Sequence, residues 1–261
     1  MSIEEPKCLV AVPTFRRPQF LPRILACFDC LTYTNKKMVI INDDPETKYI
    51  YDGDPRVEII NIDKQLQLSV KRNMFNCWDY DYIFPLDDDD LFLPTRLINH
   101  VNAYKESNNT IDLYRNTACY LVFGNKLQIA PKSSFTNSSY SRAGFFKAGG
   151  YTSYNQSNLD DASLRINFSA KCNCNIVYDD TKVDFIYDYG GSRYRNTHNN
   201  EAFMSEEFSN RTVNERQSVG EIILTPDYTV YNSIISLCNE VTEEKPIDIL
   251  FFNDNAAFEK Q

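Results

Sequence analysis

Four consecutive aspartates, residues 87–90, have the clearest potential for chemistry in this chain. They follow the apolar run Tyr82-Ile83-Phe84-Pro85 and precede a predicted helix, so they lie at the border of a hydrophobic core. Adjacent carboxylates repel one another and are stable together when a cation or several hydrogen-bond donors neutralise them. The run therefore predicts a cation or ligand site, and a solvated acidic turn is the alternative.

Two further polar clusters also follow apolar runs. Pro13-Thr14-Phe15-Arg16-Arg17 comes after residues 8–12, and Asn42-Asp43-Asp44 comes after residues 38–41. A carboxylate in the second cluster can accept a hydrogen bond from the imide N–H of uracil or the amino group of another base. The alternative there is an Asx turn closed by Pro45.

The elements that must position these clusters alternate between strands and helices. Apolar runs at 8–12, 38–41, 57–60 and 82–84 predict strands, and helices are predicted at 21–28 and at 69–78, the latter with Ser69 as N-cap. This pattern is typical of a parallel sheet, whose ligands bind at the carboxyl ends of the strands. We therefore expect the polar clusters to meet at one edge.

The second part of the chain has a different texture. The sequence predicts a helix that starts at Pro94 and continues to Tyr104, a hairpin over 118–131 with its turn at Gly124-Asn125, and short strands at 176–178 and 183–187. Residues 190–217 form a polar tract typical of a loop, and 222–241 predict a strand and a helix. A single mixed domain over residues 1–261 is the expectation.

Composition narrows the class of protein. The chain has 261 residues, of which 43% are hydrophobic, and a net charge of −9. These values predict a soluble globular protein and argue against tight general binding of nucleic acid. The first residues lack the features of a signal peptide, and no apolar run reaches membrane-spanning length, so we expect a cytoplasmic protein without membrane insertion.

Eight cysteines are sparse for this length, and most lie in apolar segments, which predicts reduced thiols. The pairs Cys27-x-x-Cys30 and Cys172-x-Cys174 leave a four-sulfur zinc site as an alternative. A cysteine-based zinc or redox protein is accordingly a competing class of function.

Several blocks, taken in order, carry a family resemblance. They are "VAVPTFRRPQFLPRIL", "VIINDDPE", "LQLSVKRNMF", "YDYIFPLDDDDLFLPTRL", "FKAGGY" and "LDDASLRI". Over roughly residues 8–180 the chain resembles the family 2 nucleotide-sugar glycosyltransferases of the GT-A fold. The resemblance implies an α/β, Rossmann-like fold with a mixed, mostly parallel central sheet flanked by helices, and a smaller β-rich region on the acceptor side. Residues 7–105 would form the nucleotide-binding half, and 106–261 the acceptor-binding half with a C-terminal loop or cap.

The resemblance also implies a divalent cation, Mn²⁺ or Mg²⁺, held by hard oxygen ligands. The family's DXD motif maps onto Asp87-Asp88-Asp89, which makes Asp89 a direct metal ligand and lets Asp87 or Asp88 face the ribose or the metal's waters. The extra aspartate leaves the register open by one, and Asp90 could instead cap the next helix. His198 would return to the metal from a C-terminal loop, or belong to the polar surface.

A nucleotide-sugar donor, with a UDP-sugar favoured, is implied by the same resemblance. Either Asp43 or Asp44 would bind the nucleobase, and Lys71 and Arg72 would face the nucleotide, unless they belong to an exposed helix face. The loop after the first strand would pack the base and ribose with Pro13, Thr14, Phe15 and Arg16.

Catalysis is implied for a pair of acids at the start of a helix. Asp160 and Asp161 occupy the family's "ED" position, and Asp161 would be the base that deprotonates the acceptor hydroxyl in an inverting reaction. Ser163 stands where a further aspartate is common, and a plain acidic N-cap is the alternative. The acceptor side would be formed by Lys147, Gly149, Gly150 and Tyr151.

The acceptor class stays open between a soluble glycan, a small molecule and modified DNA. The 17 tyrosines and the abundant asparagines are typical of an AT-biased genome such as a phage's, and phages glycosylate hydroxymethylated bases of their own DNA. A catalytically inactive nucleotide- or sugar-binding protein of the same fold is the alternative function. The DNA hypothesis requires a basic groove with stacking aromatics, formed by Lys132, Arg142, Lys147, Arg193, Arg195, Phe145 and Tyr151.

Overall fold

The computed structural model describes residues 5–123, 126–131, 135–152, 160–188 and 220–240. Its helices are α1 (Leu21–Cys30), α2 (Leu68–Met74), α3 (Arg96–Glu106), α4 (Arg142–Ala148), α5 (Asp160–Lys171) and α6 (Tyr228–Glu240). Its strands are β1 (Cys8–Thr14), β2 (Lys36–Asn42), β3 (Thr47–Ile50), β4 (Val57–Asn61), β5 (Tyr82–Pro85), β6 (Leu91–Phe92), β7 (Leu113–Asn116), β8 (Ala118–Phe123), β9 (Lys126–Pro131), β10 (Ser138–Ser141), β11 (Cys174–Val177), β12 (Phe185–Asp188) and β13 (Gly220–Ile223).

The central sheet has the strand order β11-β7-β10-β5-β1-β2-β4. β10 is antiparallel to both of its neighbours, and the remaining pairs are parallel. The predicted strands 8–12, 38–41, 57–60 and 82–84 are confirmed as β1, β2, β4 and β5. The mixed, mostly parallel α/β architecture expected from the sequence is therefore confirmed.

Helices cover both faces of this sheet because its strands alternate two apolar sets. In β1, Val10 and Val12 belong to a first core with α1, α3 and α6, whereas Leu9 and Ala11 belong to a second core with α4 and α5. Successive strand residues point to opposite faces, so a strand buried on both sides is apolar throughout. In the part of the chain that the structure describes, every helix is too short or too polar to span a bilayer.

A second sheet, in the order β6-β12-β8-β9, forms the smaller β-rich region. The predicted hairpin is confirmed by antiparallel pairing of β8 with β9, while its turn residues 124–125 lie outside the described residues. β13 pairs in parallel with β3, and α6 follows it, as predicted for 222–241. The predicted loop at 190–217 also lies outside the described residues.

Helix starts required three corrections. The cap of α2 is Gln67, without a side-chain hydrogen bond, so Ser69 lies inside the first turn and is not the N-cap. α3 begins at Arg96 after the cap Thr95, so Pro94 precedes the helix. Asp90 is followed by β6 and does not cap α3.

A buried ion pair connects α3 to the start of β12. Arg96 is fully buried, and its Nη1 donates to Asp184 Oδ1 at 2.8 Å and to Asn137 Oδ1 at 3.0 Å. His100, one turn further along α3, lies 2.7 Å from the Ser139 hydroxyl through Nδ1. Burial, followed by the charge of Arg96, lowers the pKa of His100 to about 4, so this histidine is neutral and structural.

All eight cysteines are free thiols. Cys27 is buried in the first core and Cys30 packs against it, whereas Cys172 and Cys174 pack against the second core. Burial raises the pKa of Cys27 to about 12, which suits a packed thiol and not a thiolate ligand. The four-sulfur zinc site is therefore wrong, because the two pairs belong to different cores.

Candidate active site

The carboxyl ends of β1, β2 and β5 meet at one edge of the central sheet, as predicted from the strand pattern. Ala11 of β1 lies opposite Pro85 of β5 in a parallel pair. Three residues further along each chain segment, the Thr14 hydroxyl donates a hydrogen bond of 2.7 Å to Asp88 Oδ2. The acidic run is thus attached directly to the end of β1.

Asp88 and Asp89 share one cation. Arg17 Nη1 donates to Asp88 Oδ1 at 2.9 Å and to Asp89 Oδ2 at 2.8 Å. Both aspartates are 4% exposed, and Arg23 of α1 donates to the backbone carbonyl of Asp89. Oxygens of two buried carboxylates therefore converge on one point that a positive charge can occupy.

Burial has the largest effect on the pKa of Asp88 and raises it above its ordinary value. The Arg17 guanidinium and the Thr14 hydroxyl lower this pKa, and the neighbouring charge of Asp89 raises it further. Because burial penalises the charged form, a nearby cation favours the ionised state of Asp88.

Asp87 faces a different cation. Arg72 of α2 donates from Nη2 to Asp87 Oδ1 at 3.0 Å, and its guanidinium carbon lies 5.5 Å from the centre of the Tyr151 ring. The backbone N–H of Asp90 donates to the Asp87 carbonyl at 3.1 Å and closes the acidic turn. A small cavity beside the pair is lined by Pro13, Arg72, Phe75, Asp87, Tyr140 and Tyr151.

Asp43 is fully buried and engaged at both carboxylate oxygens. Lys71 Nζ lies 2.5 Å from Oδ1, and the backbone N–H of Leu66 donates to Oδ2 at 2.7 Å. The same Lys71 ammonium donates to the Thr14 carbonyl at 3.1 Å, which ties α2 to the end of β1. Burial lowers the pKa of Lys71, and the pair with Asp43 opposes that effect.

Asp44 differs from Asp43 because one of its carboxylate oxygens accepts no hydrogen bond from the described residues. Its side chain is buried, and Oδ1 accepts the backbone N–H of Glu46 at 3.1 Å. Arg16 Nε lies 3.6 Å from the same Oδ1. Among the described residues Oδ2 has no hydrogen-bond partner, although it is buried. An unpaired buried acceptor costs about 1–3 kcal/mol, so this oxygen is suited to accept a donor from a ligand.

Two cationic side chains lie near the Phe15 ring. The Arg16 guanidinium carbon lies 4.8 Å from the ring centre and Lys71 Nζ lies 5.9 Å from it. Arg16 has a left-handed backbone with φ of 57°, an unusual conformation for a residue with a long side chain. This turn sends Arg16 towards Asp44.

The glycines after α4 are held by α2. Gly149 and Gly150 have φ values of 97° and 72°, which favour glycine. A Cβ at Gly150 would lie 3.1 Å from both Asn73 Oδ1 and Phe145 Cζ. Asn73 Nδ2 donates to the Tyr151 carbonyl at 2.8 Å, and Asn73 Oδ1 accepts the Tyr151 N–H at 2.9 Å.

The predicted DNA-binding surface requires a correction. Phe145 and Tyr151 are buried in the second core, so the prediction that they are available to stack a flipped base is wrong. Lys147 is exposed and pairs with Asp112 at 2.8 Å, and Arg142 lies 5.9 Å from the centre of the Phe146 ring. The other basic residues of that groove, Lys132, Arg193 and Arg195, lie outside the described residues.

The structure confirms that a helix starts at Asp160, so Asp160 and Asp161 occupy the first turn of α5. A helix N-terminus favours negative charge. The catalytic roles of both residues stay predictions, as does the metal role of His198, which lies outside the described residues.

The structure brings three residues to which the sequence had given no role into this site: Arg17, Arg23 and Asn73. Arg17 belongs to a polar cluster that was expected at this edge, but its partners lie more than seventy positions away in sequence and could not be predicted individually. Asn73 follows Lys71 and Arg72 in one helix. Because successive helical residues point in different directions, the sequence could have indicated that each of the three contacts a different part of the protein.

Comparison with known proteins agrees with this geometry. The model of glycosyl transferase family 2 matches residues 9–162, more than half of the chain. The chain therefore belongs to glycosyl transferase family 2. No curated protein matches its sequence.

Solved structures show the same GT-A fold at low sequence identity. Residues 1–349 of TarS from S. aureus, in complex with UDP-GlcNAc, superpose with a TM-score of 0.56 and 12% identity, covering 79% of this chain and 62% of TarS 1–349. The complex of TarS 1–349 with UDP gives 0.53 and 13%, covering 70% and 60%. The mannosyltransferase PcManGT from Pyrobaculum calidifontis, in complex with GDP-Man and Mn²⁺, gives 0.52 and 11%, covering 74% and 59%. The chain spans about 60% of the length of TarS 1–349 and of PcManGT, and 37% of the longer TarS structure.

Proposed function

We propose that the chain transfers a sugar from a nucleoside-diphosphate donor, with a UDP-sugar favoured, to an acceptor hydroxyl with inversion at the anomeric carbon. The observation that carries this proposal is the buried Asp44 Oδ2, which accepts no hydrogen bond from the described residues. It lies at the same sheet edge as the cation position of Asp88 and Asp89. A nucleobase bound to Asp44 and a diphosphate next to the cation at Asp88 and Asp89 would fit that arrangement.

Nucleobase binding is assigned to Asp44 and not to Asp43. Both oxygens of Asp43 already accept hydrogen bonds from Lys71 and Leu66, whereas Asp44 Oδ2 is available. A carboxylate only accepts, so it suits the N3–H of uracil or the N1–H of guanine. It repels the lone pair at N3 of cytosine or N1 of adenine. The UDP and UDP-GlcNAc complexes of TarS support uridine as the first choice.

Asp88 and Asp89 are the residues that would hold a divalent cation, together with the donor's phosphates. They fit this role because their oxygens already converge on one positively charged nitrogen. Among the described residues, no three His, Cys, Asp or Glu side chains are grouped around one metal position, so further ligands would come from the nucleotide, from water or from His198. When bound, Mn²⁺ or Mg²⁺ supplies Lewis-acid stabilisation of the leaving diphosphate. The Mn²⁺ in the PcManGT complex supports this assignment.

In the transfer step Asp161 would remove the proton of the acceptor hydroxyl. The acceptor oxygen then forms a bond to the anomeric carbon as the bond to the diphosphate oxygen breaks, and UDP leaves with that electron pair. Attack from the face opposite the diphosphate inverts the carbon. Arg72, held by Asp87 beside the cavity, is positioned to attract the developing negative charge.

The donor side of the proposed division comprises residues 7–105, and the acceptor side comprises 106–261. A soluble glycan or small molecule is the favoured acceptor, because the buried Phe145 and Tyr151 do not provide a stacking platform for DNA. Salt-sensitive binding of DNA at low ionic strength would overturn this preference and restore the DNA hypothesis.

Thermal unfolding with a panel of nucleoside diphosphates, with and without Mn²⁺, tests the donor site. Ligand at a hundred times its Kd adds about 2.7 kcal/mol, a shift on the order of 5–10 °C for a chain of this size. We expect UDP to give the largest shift and Mn²⁺ to increase it. Equal shifts for all bases would contradict the role of Asp44. The anomeric configuration of the product, measured by NMR, tests inversion.

A further inference from the structure

Two successive arginines after β1 face different acidic groups. Arg16 Nε lies 3.6 Å from Asp44 Oδ1, whereas Arg17 contacts Asp88 and Asp89. Arg16, directly before Arg17, has a left-handed φ of 57°. That turn separates two guanidinium groups that would otherwise follow one another along the same loop.

One nitrogen of Arg17 lies at the point where the two carboxylates converge, 2.9 Å from Asp88 Oδ1 and 2.8 Å from Asp89 Oδ2. Thr14 donates to the carboxylate of Asp88, and Arg23 donates to the backbone carbonyl of Asp89, so both acids are anchored independently of Arg17. The Arg17 side chain is 32% exposed, so it reaches this point from the solvent side.

We propose that Arg17 is a built-in counter-cation that competes with the divalent cation for Asp88 and Asp89. This inference rests on the metal site of the proposed function. In the metal-free protein Arg17 neutralises two buried carboxylates that would otherwise repel one another. A metal ion cannot share the position of the guanidinium nitrogen, so the arginine must withdraw before the metal can bind.

Replacement of Arg17 by the metal couples the binding of metal to the binding of nucleotide. The diphosphate offers the displaced guanidinium a new anionic partner, because arginine pairs well with phosphate oxygens. Nucleotide binding therefore lowers the cost of moving Arg17 and raises the affinity for metal. By linkage, metal raises the affinity for nucleotide by the same factor.

Mn²⁺ binding without turnover tests the competition. Free Mn²⁺ is measured by its EPR signal in titrations of wild type, Arg17→Gln and Arg17→Lys. Arg56→Gln is the matched control. It removes the same charge from an exposed residue directly before β4, at the amino ends of the strands and therefore away from the site. We expect Arg17→Gln to bind Mn²⁺ about tenfold more tightly than wild type, Arg17→Lys to be intermediate, and Arg56→Gln to stay within about twofold.

A second titration with UDP present measures the coupling. UDP should raise the Mn²⁺ affinity of wild type by a larger factor than that of Arg17→Gln, in which the competitor is already absent. If Arg17→Gln does not fold, judged by circular dichroism, the comparison of Arg17→Lys with wild type decides in the same direction.

Equal Mn²⁺ affinity in wild type and Arg17→Gln, with an undiminished effect of UDP, would overturn the role of Arg17 and leave the donor site intact. Loss of metal-free UDP binding in Arg17→Gln without a change in Mn²⁺ affinity would overturn it as well, because Arg17 would then be a permanent ligand of the diphosphate. Absence of Mn²⁺ binding in every variant, even with UDP, would overturn both this inference and the metal site.

Discussion

The side-chain amide of Asn73 pairs with both backbone polar groups of Tyr151, donating to the carbonyl at 2.8 Å and accepting from the N–H at 2.9 Å. This pair joins α2, which carries Lys71 and Arg72, to the two glycines after α4. Two hydrogen bonds therefore hold the helix of the proposed donor side against the segment proposed for the acceptor.

Asn73→Ala should reduce transfer more than donor binding. Loss of two hydrogen bonds costs about 1–3 kcal/mol of folding stability and releases residues 149–151. We expect kcat to fall while the Kd for UDP, measured by calorimetry, changes little. Asn102→Ala, an exposed asparagine on α3, is the control and should match wild type in both measurements. A loss of UDP affinity equal to the loss of kcat would contradict a positioning role.

Asp44→Asn and Asp43→Asn should separate ligand binding from stability. In Asp44→Asn the amide oxygen can keep the hydrogen bond from Glu46, which puts a donor in place of Oδ2; UDP binding should weaken by about tenfold to a hundredfold, while the melting temperature is unchanged or raised. Asp43→Asn deprives the buried Lys71 of its charged partner and should cost about 3 kcal/mol in denaturant unfolding. If Asp43→Asn is the variant that loses UDP specificity at full stability, the assignment of the base to Asp44 is wrong.

Arg96→Met should be among the most destabilising single changes in the fold. It leaves the Asp184 carboxylate buried without its guanidinium partner, which costs about 3–5 kcal/mol. The double variant Arg96→Met with Asp184→Leu removes both charges and should recover much of that loss in urea unfolding. A double variant less stable than Arg96→Met would contradict this, because it would show that other contacts of Asp184, such as the hydrogen bond from Asn99, outweigh the cost of burying its unpaired charge.

His100 should make the protein sensitive to mild acid. Its pKa falls from 6.5 to about 4 on folding because of burial, so between these values the unfolded chain binds a proton that the folded chain excludes. Stability is therefore present above pH 6.5 and is lost as the pH falls towards 4, by up to about 3 kcal/mol. Urea unfolding of wild type and His100→Gln at pH 7.5 and 4.5 measures this loss. The variant should lose less stability between the two values, and an equal loss would contradict the prediction.

The local pattern of apolar residues was sufficient to predict the parallel strands of the central sheet. Continuous apolar runs predicted β1 and β2, and with them the edge at which Thr14, Asp43 and Asp88 meet. The two-residue β6 was not predicted. It forms by pairing with the distant β12, and such a pairing leaves no local pattern in the sequence. Ser69 was misassigned because the observed cap, Gln67, lies two residues earlier, and a hydroxyl in the first turn is not by itself a cap.

Residue chemistry predicted the acidic groups of the site but not the partner of each one. The division of labour between Asp43 and Asp44 depends on Leu66 and Lys71, which approach Asp43 from another part of the chain. Arg17 could not be distinguished from Arg16 by sequence, because a left-handed turn at Arg16 decides which acid each arginine meets.

The pairing of β6 with β12 places Phe92 opposite Phe185 and Leu91 opposite Ile186, more than ninety positions further along the chain. During synthesis the four aspartates leave the ribosome long before the strand that braces the residues directly after them. We therefore expect a nascent or truncated chain that ends near residue 110 to contain every donor-side carboxylate and yet lack an ordered acidic turn, since distant pairings form late. The proposed sites for nucleotide and metal thus mature only after most of the acceptor side has been made.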